Sequence, residues 1–156
     1  MAIYLDTETT GLSPNRGASI VEIAIVDDRG RVLIDTLVDP QQPIPWPAQR
    51  IHGISDDMVT GMPTLKALMP EIIKIVKNEE IVIYNATFDA PFFPGNLKQA
   101  RAVSCAMRQF SAHLGGPWRK LDEASRHVGH KWTGEAHRAL ADAQACRSVW
   151  HWLNAR

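Results

Sequence analysis

An apolar run, Ile3-Tyr4-Leu5, leads directly into two carboxylates one residue apart, Asp6 and Glu8, followed by the turn signal Thr9-Thr10-Gly11. Side chains alternate across a strand, so the two acids fall on one face. Carboxylates that close repel and raise each other's pKa unless a cation lies between them. Oxygen-rich acidic pockets suit Mg²⁺ or Mn²⁺. The bland alternative is a strand end with two solvated acids, and the rest of the chain has to decide between the two.

Residues 3–8 read as a first strand, Ser19–Asp27 (S-I-V-E-I-A-I-V-D) as a second, and Arg31–Val38 as a third beyond the Asp28-Arg29-Gly30 turn. The three form an antiparallel meander. Gln41–Pro47 holds three prolines in seven residues and reads as extended loop. Pro63-Thr64 opens a helix with Leu65, Leu68, Met69, Ile72 and Val76 at helical spacing, and Pro70 implies a kink or restart. Ile81–Tyr84 is a short buried strand, a helix follows from Ala90, and Ala102–Cys105 is a last strand. Leu121–Val128 is helical, and Ala139, Ala143, Cys146, Trp150 and Leu153 lie along one stripe of a closing helix. The pattern predicts a mixed α/β sheet covered by helices.

At 156 residues, 45% of them apolar, the chain is expected to form one domain over 1–156. No apolar run reaches the roughly 20 residues of a membrane span, and the start lacks a secretory pattern, so a cytoplasmic protein is expected. Cys105 and Cys146 show no paired spacing and read as free thiols. The formal net charge of zero speaks against broad duplex binding. It does not exclude a nucleic-acid partner: with four site acids neutralised by metal, seventeen basic residues face the thirteen acids that remain of seventeen.

Two later stretches strengthen the metal reading. Y-N-A-T-F-D puts Asp89 just past the Ile81–Tyr84 strand, where α/β sheets open a ligand crevice. H-R-A-L-A-D puts His137 at the mouth of the last helix and Asp142 one turn inside it, bordering the apolar stripe. D-T-E-T-T-G, N-A-T-F-D and H-x₄-D, in this order, resemble the three motifs of the DnaQ-like 3′–5′ exonucleases. The histidine branch (DEDDh) is indicated because Arg138, not tyrosine, stands four residues before Asp142. I-V-E-I-A and R-I-H-G-I-S fit as connecting stretches, and the likeness runs from Ile3 to about Trp150.

The resemblance implies a ribonuclease-H-like fold: a five-stranded mixed sheet, its first three strands antiparallel, with helices on both faces. It implies Asp6, Glu8, Asp89 and Asp142 as ligands of two Mg²⁺, with Mn²⁺ as substitute, and His137 as general base. The activity implied is hydrolysis from the 3′ end of single-stranded nucleic acid, DNA ahead of RNA, releasing nucleoside 5′-monophosphates. By analogy Thr9, Thr10, Gly11 and Leu12 hold the terminal nucleotide, Leu12 wedging against its base, while His52 and Phe88 line the same pocket. Asn85 braces the site, and Glu22 reads as structural. Arg119 and Lys120 beside Trp118 are candidates for strand-backbone contact, and His127 and His130 lack the partners of a zinc site. No membrane partner is expected. Homodimerisation, association with other nucleic-acid machinery as a trimming or proofreading subunit, and RNA as substrate stay open. The ending just after the last helix favours an autonomous enzyme, and five intact site positions argue against a non-catalytic binding module.

Overall fold

The computed structural model describes residues 1–155. Strands β1 (Ala2–Thr9), β2 (Ile20–Val26), β3 (Val32–Leu37), β4 (Glu80–Ile83) and β5 (Ala102–Cys105) form one sheet in the order β3-β2-β1-β4-β5. The β1–β2 and β2–β3 pairs are antiparallel, and β1–β4 and β4–β5 are parallel. The helices are α1 (Trp46–His52), α2 (Asp56–Val59), α3 (Leu65–Val76), α4 (Ala86–Asp89), α5 (Ala106–Leu114), α6 (Leu121–His127) and α7 (Ala139–Asn154). The antiparallel start and the mixed sheet agree with the sequence reading.

Alternation along the central strand divides the core. Ile3 and Leu5 pack with Leu68, Met69, Ile72 and Val76 of α3. Ala2 and Tyr4 belong to the other face, with Phe110 of α5 and with Ala139, Ala143, Cys146, Val149 and Trp150 of α7. Tyr4, Leu5, Ile23 and Ile25 are fully buried, each worth roughly 1.5–3 kcal/mol of transfer free energy for an aliphatic or aromatic side chain of this size. By the same alternation Asp6 and Glu8 continue the Tyr4 face, toward α7. A smaller cluster, Val21, Ile44, Ala48, Ile54 and Val59, anchors α1 and α2 beside β2.

The sequence reading gave no element to α2 or α5, and the structure departs from it in three further places. Pro70 does not restart α3, which runs as one helix from Leu65 to Val76 with Thr64 as its N-cap. The bond Pro70 cannot donate would go to the Lys66 carbonyl, and both residues lie on the exposed face, where water can satisfy it. No regular helix starts at Ala90. Two 3-10 turns, Ala90–Phe92 and Pro94–Leu97, follow α4 instead. Pro91 and Pro94 remove donors there, and Gly95, Asn96 and Leu97 adopt left-handed backbone. The proline-rich loop ends earlier than expected, because Pro47 sits in the first turn of α1, where its missing N–H has no intrahelical partner.

Candidate active site

The acids meet where β1 ends and α7 begins. A ligand oxygen from each of Asp6, Glu8 and Asp142 lies within 4.8 Å of the others. Asp89 stands outside this trio but lines the same cleft of about 460 Å³, together with His137, Asn85 and Phe88. Its Oδ1 accepts a 2.6 Å bond from the hydroxyl of Thr7, the residue between the two β1 acids. α4, which carries Asp89, begins where the N–H groups of Phe88 and Asp89 donate to the Asn85 carbonyl. Asn85 thus braces the site through its backbone. The β1–β2 register shifts just after Glu8, with Thr9 opposite Ile20, so Val21 is the extra residue of a bulge beside the acids.

Glu22 lies directly across from Glu8 in that register. Its carboxylate accepts two bonds from Arg138 Nε (3.1 and 3.2 Å) and one from Nη2 (2.8 Å), and a fourth from the Ala139 N–H at 2.9 Å. The last of these satisfies an orphan donor at the start of α7. Arg138 follows His137, whose backbone is left-handed at φ 63° and whose N–H donates to Asp142 Oδ1 at 3.1 Å. Glu22 is therefore structural, as expected, and it anchors the junction that presents His137 to the cleft. Sequence reasoning missed Arg138 and Thr7 as partners. The signal was present in the acid inside an apolar strand, which demands a counter-charge somewhere.

An adjoining hollow of about 410 Å³ shares Thr7, Glu8 and Phe88 with the acid cleft. Thr9, Thr10, Gly11, Leu12 and His52 line it with Pro45, Ala48 and Ile51, so with Phe88 the structure gathers the six residues expected around the terminal nucleotide, while Arg119 and Lys120 lie outside it. Leu12 is 86% exposed at its rim. The polar groups of the turn are already engaged. Thr9 Oγ1 donates to the Gly11 carbonyl, and Thr10 Oγ1 accepts from the Ser19 N–H. His52 is buried, its Nε2 3.1 Å from the Thr9 carbonyl and its Nδ1 accepting from the Ile54 N–H. Gly53, at φ 73°, allows that fold-back. His52 thus acts on the turn, not through a free nitrogen, and burial lowers its pKa.

Electrostatically the four acids are strained. Burial, then the neighbouring carboxylates Asp89, Asp142, Glu8 and Glu22, push Asp6 far above the carboxylate range. Burial, then Asp142 and Glu22, raise Glu8 to about 9. Burial raises Asp89 to about 7 against the Thr7 hydrogen bonds, and Asp142 to about 6 against the His137 N–H. Asp6 Oδ2 is buried without a hydrogen-bond partner among the described residues. An all-oxygen donor set with an orphaned carboxylate oxygen fits a hard divalent cation.

A sequence model of the exonuclease family, RNase_T, matches residues 3–149. The chain belongs to the exonuclease family. It is 37% identical over 161 aligned positions to an uncharacterized exonuclease, CP81, of Escherichia phage 186, covering 91% of this chain and 82% of that one. It is 31% identical over 113 positions to the DNA polymerase III subunit epsilon of Rickettsia felis, covering 70% of this chain and 49% of the relative, so it spans about half of that protein. A structure of Exonuclease X in complex with 5′ overhanging duplex DNA matches at TM-score 0.81 and 26% identity, over 98% of this chain and 90% of that one. The fold is the ribonuclease-H-like sheet of this family, and the enzyme is a 3′–5′ exonuclease of the DnaQ-like type.

Two predictions follow from these contacts. Arg138→Ala leaves Glu22 buried with one partner and should cost about 2–3 kcal/mol in denaturant unfolding, below the range for a fully buried pair because Arg138 is a third exposed. Arg138→Lys should fall between, lacking the planar fork, and an unchanged midpoint in the alanine variant would contradict this role. The second concerns pH with divalent ions chelated. Carboxyls whose folded pKa values lie near 6 to 9 bind more protons than the unfolded chain, whose carboxyls titrate near about 4. Stability should therefore fall as pH rises from about 4 through 7. His52 titrates in the opposite sense, so the melts are compared with Asp6→Asn, in which the fall should shrink. A parent Tm no more pH-dependent than the variant's would contradict the coupling.

Proposed function

We propose that the enzyme hydrolyses the terminal phosphodiester at the 3′ end of single-stranded nucleic acid, DNA ahead of RNA, and releases nucleoside 5′-monophosphates in the cytoplasm. The observation that carries this is the convergence of Asp6, Glu8 and Asp142 beside His137 in one cleft. With Asp89 they would hold two Mg²⁺, with Mn²⁺ as substitute. Bound divalent ions of this kind polarise a phosphoryl group and lower the pKa of water. His137, exposed at the cleft on its left-handed backbone, accepts the proton of the attacking water as general base. The Thr9–Leu12 turn receives the terminal nucleotide in the adjoining hollow, with Leu12 at its base and Phe88 between the two spaces.

DNA is favoured because Exonuclease X is bound to DNA in its structure and the epsilon relatives are subunits of a DNA polymerase. Those relatives also keep a role within a larger assembly in view.

The test is a time course on 5′-labelled DNA and RNA strands of one sequence with Mg²⁺, Mn²⁺ or chelator. A metal-dependent ladder shortening from the 3′ end is expected, DNA faster, with His137→Ala reduced by about 10²–10⁴. Asp6→Ala should in addition weaken Mn²⁺ binding. A His137→Ala enzyme as fast as the parent would overturn the general-base role.

A further inference from the structure

Five acids line the cleft: Asp6, Glu8, Asp89, Asp122 and Asp142. Lys120 is the one lysine or arginine lining it among the described residues. It is exposed and has no ion-pair partner among them. Divalent ions would offset four of these acids at the scissile end only, so attraction for the rest of a polyanionic strand has to come from outside the metal site, and the segment carrying Lys120 has the features to supply it.

Residues 115–120 have no regular secondary structure, yet the segment is pinned. The Tyr84 hydroxyl donates to the Arg119 carbonyl at 2.6 Å. Arg119 Nη1 donates to the carbonyls of Gly115 (3.1 Å) and Pro117 (3.4 Å), and its Nε lies 3.3 Å from Glu123 Oε2. Arg119 is thus engaged in holding the loop, and its neighbours on either side are presented outward. Trp118 is 59% exposed, and the Arg108 guanidinium stands 5.4 Å from its ring centroid. An arginine over one face of an indole leaves the opposite face open to a nucleobase.

Resting on the exonuclease reading above, we infer that this face binds the strand upstream of its 3′ end. Lys120 takes a backbone phosphate at the cleft edge, and Trp118, backed by Arg108, stacks on a base. Such a surface is sequence-tolerant, because every base offers a π-face while the phosphate carries no sequence information. It gives the enzyme a preference for strands several nucleotides long over minimal substrates.

The experiment compares kcat/KM on a 12-nucleotide strand with that on a dinucleotide, for the parent, Trp118→Ala, Trp118→Phe and Lys120→Gln. The ratio of the two should fall tenfold or more in Trp118→Ala and be largely restored in Trp118→Phe. In Lys120→Gln the dependence of log kcat/KM on log salt for the long strand should become shallower by about 0.7. The same proteins are titrated with a fluorescein-labelled 12-mer in chelator, where Trp118→Ala should bind at least tenfold more weakly. Parent-like ratios, salt slope and affinity in the variants would overturn the inference. A parent that cleaves neither substrate overturns the exonuclease reading instead, and the chelator titration still decides this surface.

Discussion

The site depends on carboxylates held in a dry corner between a sheet and a helix N-terminus, and on how each is compensated. Glu22 is fully answered by the Arg138 fork and the first N–H of α7. Asp89 has the Thr7 hydroxyl and Asp142 the His137 N–H. Asp6 Oδ2 has no partner among the described residues. Removing a charged group from water without a partner is among the costliest things a fold can do. The graded pattern, from satisfied Glu22 to orphaned Asp6, therefore locates the position where a cation makes the largest difference. It also explains why Glu22, buried on the neighbouring strand directly across from Glu8, belongs to the scaffold.

Compensation also shapes the surrounding chain. The Glu22–Arg138 pair fixes the residue after His137, and Asp142 fixes His137 from the helix side. A histidine in left-handed backbone is tolerated but unfavourable, so its position is held by these two contacts. On the other side of Glu8, the bulge at Val21 and the Thr9–Gly11 and Thr10–Ser19 bonds turn the chain sharply. His52 secures that turn from beneath. The two hollows meet at Thr7, Glu8 and Phe88, so the acidic chamber and the apolar chamber open onto each other.

Much of this was legible in the chain. The three-strand meander followed from β-branched runs and a turn, and the stripe from Ala139 to Trp150 announced α7. The site acids stood out because each was out of place: two on an apolar strand, one past a strand end, one on the apolar border of a helix. What escaped was set by tertiary context. Trp46–His52 folds as a helix because Ala48 is buried with Ile44, Ile54 and Val21, although Pro47 closed the stretch that read as loop. The segment after Ala90 fails to continue as helix because Pro91, Pro94 and the left-handed residues 95–97 outweigh its apolar content. Arg138 looked like a missing tyrosine; its role required knowing that β2 runs beneath the start of α7.

The central claim is that burial and the neighbouring carboxylates hold protons on Asp6 and Glu8 until a divalent cation replaces them. Calorimetric titration of Mn²⁺ into the metal-free enzyme at pH 7, repeated in buffers of different ionisation enthalpy, measures both binding and protons released. Binding with net proton release, weakened in affinity and in released protons by Asp6→Asn, is the result this structure predicts. Absence of Mn²⁺ binding, or binding with no proton release, would contradict it.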